Sequence, residues 1–176
     1  RLVTLRRVGD VSAVGVAYHI PAGPHEENAA LQVLANILST RPSGRLYKAL
    51  VETKKASSAS ASAGREHDPG LLTLDAEVPK ENSLDEARDL LISTAEEVGA
   101  KGVTAEEVNR AKQQILKARE RAAMDTAQIG VALSEWAAQG DWRLYFLYRD
   151  RIEQVTPELV QAAAGKYLRR NNRTVG

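Results

Sequence analysis

The run Ala56-Ser57-Ser58-Ala59-Ser60-Ala61-Ser62-Ala63 constrains this chain more than any other stretch. Its near alternation has the period of a strand, yet Ala and Ser are weak strand formers, so the smallness of the side chains must be put to use. Another layer is expected to come close to it. His67-Asp68-Pro69-Gly70 marks a turn after it, and Leu71 to Val78 alternates again with Leu72, Leu74, Ala76 and Val78 on one side. The two runs read as a hairpin. Ahead of it, Pro42-Ser43-Gly44 stops a helix and reverses the chain, and Arg45 to Thr53 reads as a short helix with Leu46, Ala49 and Leu50 inward.

Upstream, Leu2 to Arg7 and Val11 to Ile20 are β-rich runs around Gly9-Asp10, which predicts adjacent strands, the second largely buried, with Gly15 and the alanines leaving room above it. Glu26 to Thr40 carries Ala30, Leu31, Val33, Leu34, Ile37 and Leu38 at helical spacing. Downstream, Ser83-Leu84-Asp85-Glu86 and Thr104-Ala105-Glu106-Glu107 have the pattern of capping boxes, the second with a Val103/Val108 staple. The first opens a helix to about Gly99 with Leu84, Ala87, Leu91 and Val98 behind it. The second opens one with a Val108, Ala111, Ile115, Ala118, Ala122 seam. Further helices are expected through Ile129, Ala132, Leu133 and Trp136, then over Asp141 to Val155, anchored by Trp142, Tyr145, Phe146 and Ile152. A last helix starts at Thr156-Pro157-Glu158, with a Val155/Val160 staple. Paired strands followed by runs of helices predict an α+β fold, an antiparallel or mixed sheet packed against several helices, with residues 1–176 as one domain. Arg1 opens directly into a strand pattern and Arg173-Thr174-Val175-Gly176 resembles the start of another, so the chain is expected to be a domain excised from a longer one.

Lys and Arg number 24 against 23 Asp and Glu, a balance that offers no global field for nucleic acid or an anionic membrane. There is no Cys, which excludes disulfides and thiolate metal sites. The three histidines, His19, His25 and His67, lack the i, i+4 pairing that sets two imidazoles on one helix face. His25-Glu26-Glu27 is the nearest approach to a ligand cluster and reads as a solvated loop. No nucleophile elbow, P-loop or dinucleotide glycine pattern is present. The basic groups within Arg110 to Arg121 and Arg169 to Arg173 read as solvated surface, interleaved with acids in the first case. Trp136, Trp142, Tyr145, Phe146 and Tyr148 read as core or as a contact between domains rather than a ligand box.

The ordered set formed by the Val11 to Ile20 strand, Ala30-Leu31-Gln32-Val33-Leu34-Ala35-Asn36-Ile37-Leu38, Ser43-Gly44-Arg45-Leu46-Tyr47-Lys48-Ala49-Leu50, the Ser57 to Ala63 strand, Thr104 to Val108, and Thr156-Pro157-Glu158 through Tyr167-Leu168 resembles the M16 zinc metallopeptidases, the insulinase, pitrilysin and processing-peptidase group. The resemblance implies paired domains that close as a clamshell around a chamber where unfolded peptides are cut. It also implies other M16 domains of the same chain or a paired subunit as partners, peptide as the parent's substrate, and neither nucleic acid nor membrane. The family's zinc motif, His-x-x-Glu-His on the first long helix, is replaced here by Leu31, Gln32, Val33, Leu34 and Ala35. No metal ligand and no catalytic residue are therefore expected, with zinc confined to the parent's catalytic domain. The family's auxiliary Arg and Tyr align with Val51 and Ser58, which are not expected to serve, since Val donates no hydrogen bond to an oxyanion and Ser is too short to replace Tyr. The resemblance thus implies a non-catalytic second domain of a pair, in a parent whose bacterial relatives point to the periplasm. The alternative is a scaffold domain of the same fold in a parent without peptidase activity, as in core subunits of respiratory complexes.

Overall fold

The computed structural model describes residues 1–5 and 11–176. Its sheet comprises β1 (Val11–Ile20), β2 (Ser58–Ala63), β3 (Gly70–Pro79) and β4 (Arg173–Val175), with neighbours ordered β2-β3-β1-β4 and every pair antiparallel. The helices are α1 (Asn28–Ser39), α2 (Leu84–Lys101), α3 (Ala105–Ala122), α4 (Thr126–Ala138), α5 (Leu144–Gln154) and α6 (Pro157–Tyr167). The short helix expected within Arg45 to Thr53 is present and is π-helical over Tyr47–Val51, and a 3-10 turn covers Arg170–Asn172. This is the α+β fold of the expectation.

The β2–β3 hairpin forms as the alternation requires, with Ala59 facing Ala76 and Ser60 facing Asp75. Leu72, Leu74, Ala76 and Val78 of β3 are buried, as are Val14, Val16, Tyr18 and Ile20 of β1. These side chains share one face, and α1, α2 and α6 cover it through Leu31, Leu34, Leu38, Leu91, Val98 and Val160. Burial of that apolar surface, at ~25 cal/mol per Å², is the main drive for the assembly. β1 is thus buried on one face only. The room expected above Gly15 is occupied from β3, because a Cβ on Gly15 would lie 3.3 Å from Asp75 Oδ1.

The described part of the first β-rich run, residues 2–5, meets β4 and not β1 as expected. Leu2 bridges Val175 in parallel and Val3 N donates to the Val175 carbonyl, because β4 already holds that edge of β1, with Gly15 N bonded to Gly176 O. The Gly9-Asp10 turn lies outside the described residues.

Thr104 and Glu107 make the full capping box that the sequence proposes: Glu107 N donates to Thr104 Oγ1 and Thr104 N to Glu107 Oε2. Ser83 makes half of one, accepting from Glu86 N, while the Glu86 carboxylate turns to Lys55 Nζ. A flexible ammonium within reach outcompetes the backbone N–H for the same oxygens. Gly102 stands between α2 and α3 at φ 72°, a left-handed conformation that favours Gly, and its carbonyl accepts from Arg45 Nη2 at 3.0 Å. Leu84 is 39% exposed, one turn before the buried stripe of α2 begins at Ala87. The seam of α3 ends early as well: Val108 and Ala111 are buried but Ala118 is exposed, because it lines an open cleft on the side of α3 that faces α4.

Candidate functional site

Covering one face of the sheet leaves the other open among the described residues. That face presents Ser58, Ser60 and Ser62 from β2, Thr73, Asp75 and Glu77 from β3, and Ala13, Gly15 and Ala17 from β1. The pairing register sets these in rows: Ser60 beside Asp75 beside Gly15, and Ser62 beside Thr73 beside Ala17. Ser62 Oγ and Thr73 Oγ1 are hydrogen-bonded at 2.9 Å, and Ser58 Oγ donates to Glu77 Oε2 at 3.0 Å. The result is a shallow floor of small residues among which the carboxylates of Asp75 and Glu77 stand. Asp75 lies in it with its carboxyl raised above the ordinary range by desolvation.

At the end of β2 this floor runs into a groove of about 910 Å³, walled by Ser62, Thr73, Leu71, Trp136 and Gln139. Gln139 Oε1 is buried there without a hydrogen-bond partner. Arg65, Glu135 and Trp136 also belong to a second cleft of about 400 Å³, between α1, α3, α4 and α5. Here Arg65 and Arg119 approach the ring of Tyr148 to 5.7 and 5.6 Å, and Arg119 lies 4.3 Å from the centroid of Tyr145. Arg119 donates from Nη2 to the Tyr145 carbonyl at 2.6 Å. Burial lowers its guanidinium from the ordinary range, and the charges of Arg65 and Arg149 add to that effect. Tyr148, buried between Trp136 and the arginines, has its phenol pushed up to about 12 by desolvation. Arg119 is therefore half-buried and not part of a solvated helix face, a correction to the sequence expectation.

The aromatic residues divide in two. Trp136 and Tyr148 pack in the core with centroids 5.3 Å apart, whereas Trp142 and Phe146, expected as anchors, are 52% and 47% exposed and meet edge-to-face outside it. Tyr148 holds the core position because α5 turns that side chain, with Ile152, toward α1 and α3.

The residues aligned with the family's functional positions are dispersed. Leu31, Val33, Leu34 and Ala35 are buried on α1, and Gln32 spends its amide on the Ala63 carbonyl at 2.6 Å. Val51 packs against the core at the end of the π-helical turn, and Ser58 is bonded to Glu77. His19 is exposed on β1, His25 Nδ1 accepts from Glu27 N, and His67 pairs with Asp68. Glu27 itself joins Lys166 and Tyr167. Among the described residues no three of His, Asp and Glu gather as a metal site.

Residues 2–115 match the family model described as the peptidase M16 inactive domain. The chain belongs to the M16 peptidase family. It is similar to the inactive peptidase domain of a candidate zinc protease from Bordetella parapertussis at 42% identity, with TM-score 0.91, covering 99% of this chain and 95% of that one. A candidate zinc protease from Bordetella pertussis Tohama I is similar at 40% identity and TM-score 0.89, covering 96% and 93%. A chain of Complex III2 from Candida albicans shares the M16 fold at 14% identity and TM-score 0.84, where all of this chain covers 45% of that one. No curated protein matches. This M16 domain is of the inactive type. Among the described residues no helix is long and apolar enough to cross a membrane.

Proposed function

We propose that this domain is a wall of the peptide chamber in a longer M16 zinc metallopeptidase, and that it holds the neighbouring zinc domain in register. The observation that carries the reading is the open sheet face. A sheet whose covering helices α1, α2 and α6 lie on one side, and whose other side is Ser, Thr, Ala and Gly with the carboxylates of Asp75 and Glu77 among them, offers a shallow polar floor over which unfolded peptide passes. In this reading zinc and hydrolysis belong to the partner domain, the substrate is peptide, and Val51 and Ser58 take no part in stabilising an oxyanion. We take the periplasm as the parent's compartment, a reading supported by the family resemblance alone.

Zinc titration and peptide digestion with the 176-residue chain test it. The expected result is neither stoichiometric zinc uptake nor cleavage by the chain alone. One zinc per chain, or cleavage that survives purification, contradicts the reading.

The likeness to a chain of Complex III2 favours a second reading, a scaffold domain in a parent without peptidase activity. An upstream neighbour domain carrying His-x-x-Glu-His and binding one zinc rejects it.

A further inference from the structure

Two guanidiniums point into the cleft between α1, α3, α4 and α5, and neither has a carboxylate at ion-pair distance among the described residues. Arg119 is partly out of water with the charge of the exposed Arg65 near it, an arrangement that an anion joining the two would relieve. Arg119 spends one donor on the Tyr145 carbonyl, and Arg65 lies beside the rings of Trp136 and Tyr148; their remaining N–H groups are available to a ligand.

We propose that this cleft is a carboxylate-binding subsite for peptide, with Arg65 and Arg119 gripping the anion and Gln32 and Asn36 on α1 lining the path of the adjoining backbone. The composition of the cleft selects the class. Glu135 is its single acid, so the two arginines leave one net positive charge, which matches a carboxylate better than a phosphate dianion. Ile115, Ile129 and Ala132 form an apolar wall for the residue that bears the charge, and Gln32 Oε1 and Asn36 Nδ2, the ends of those carboxamides not used by Ala63 and Thr40, suit a peptide N–H and C=O. Continuity supplies the route, because Arg65 and Trp136 border both this cleft and the groove that opens from the sheet floor. The choice of peptide as bearer of the carboxylate rests on the chamber reading; the anion site rests on the arginines alone.

Calorimetric titration of the whole chain tests it with three N-acetylated hexapeptides of small residues. One has a free C-terminal carboxylate, one is its C-terminal amide, and one is an amide with a central Glu. The free acid is expected to bind at least tenfold tighter than the plain amide, and Arg65→Met, at an exposed position, is expected to remove the preference while leaving the thermal midpoint in place. Arg119→Lys keeps a charge but not the fork and is expected to lose most of the preference. Tight binding of the Glu-containing amide assigns the carboxylate to a side chain, and its failure beside a binding free acid assigns it to the chain end. Equal binding of all three peptides, or a preference for a carboxylate that survives Arg65→Met, overturns the site. Acetate competing as well as the peptide acid keeps the anion site but contradicts a peptide bearer, and with it the chamber reading of this surface.

Discussion

Arg45 and Glu107 meet as a two-pronged pair, Nε to Oε1 and Nη2 to Oε2, both at 2.8 Å. The pair joins the turn that precedes β2 to the first turn of α3, 62 residues apart in sequence. Glu107 also closes its capping box, so one carboxylate serves a tertiary contact and a helix end together.

The hydrogen bonds from Arg45, with that from the Thr104 backbone, hold the Glu107 carboxyl at about 2 against an ordinary 4.5. A lowered folded-state value means that the stabilisation is complete above the unfolded value and is lost as pH falls through the folded one. Arg45→Met is expected to cost about 2 kcal/mol at pH 7, within the range for charged hydrogen bonds. Urea titrations of both proteins check it: the gap in stability should narrow between pH 4.5 and pH 2.

Gly99 and Gly165 mark where α2 and α6 cross, and they are not equivalent. A Cβ on Gly99 would lie 2.8 Å from Gly165 Cα, whereas one on Gly165 meets nothing nearer than Gly99 Cα at 3.8 Å. Gly99→Ala is expected to destabilise by roughly 1–3 kcal/mol, as overpacking against backbone does. Gly165→Ala is expected to be neutral or to gain up to about 1 kcal/mol from helix propensity. Thermal midpoints of the two variants moving in the same downward direction contradict this asymmetry.

Asp75 stands on the open sheet face between Ser60 and Gly15, its carboxyl raised by desolvation. For an acid with a raised folded value the charge destabilises the fold above that value and not below the unfolded one. Asp75→Asn is expected to gain about 0.5 kcal/mol at pH 7, a small figure because water still screens the site. The gain should vanish by about pH 3, below the unfolded carboxyl value, in denaturation curves taken across that range.

Much of the fold is legible in the sequence because its signals are local. The alternation of Leu72, Leu74, Ala76 and Val78, the Thr104/Glu107 box and Pro157 after Thr156 each act within a few residues, and each appears in place. The Ser83 box is only half legible because Lys55, remote in sequence, competes for Glu86. The site was harder to read. Arg65 follows a strand and Arg119 ends a helix that reads as solvated; only the packing of α4 and α5 brings both to Tyr148. The exposed Trp142 and Phe146 likewise carry the composition of a core without its position.

The central claim is that peptide passes over the open sheet face. In the longer peptidase that we propose carries this domain, a photo-crosslinking residue placed at Ala17 or Ser60, on the open face, is compared with one at Asp89, on the exposed side of α2. The account predicts that an unfolded substrate peptide becomes covalently attached at Ala17 and Ser60 and not at Asp89. Equal labelling at all three positions, or labelling at Asp89 alone, contradicts it.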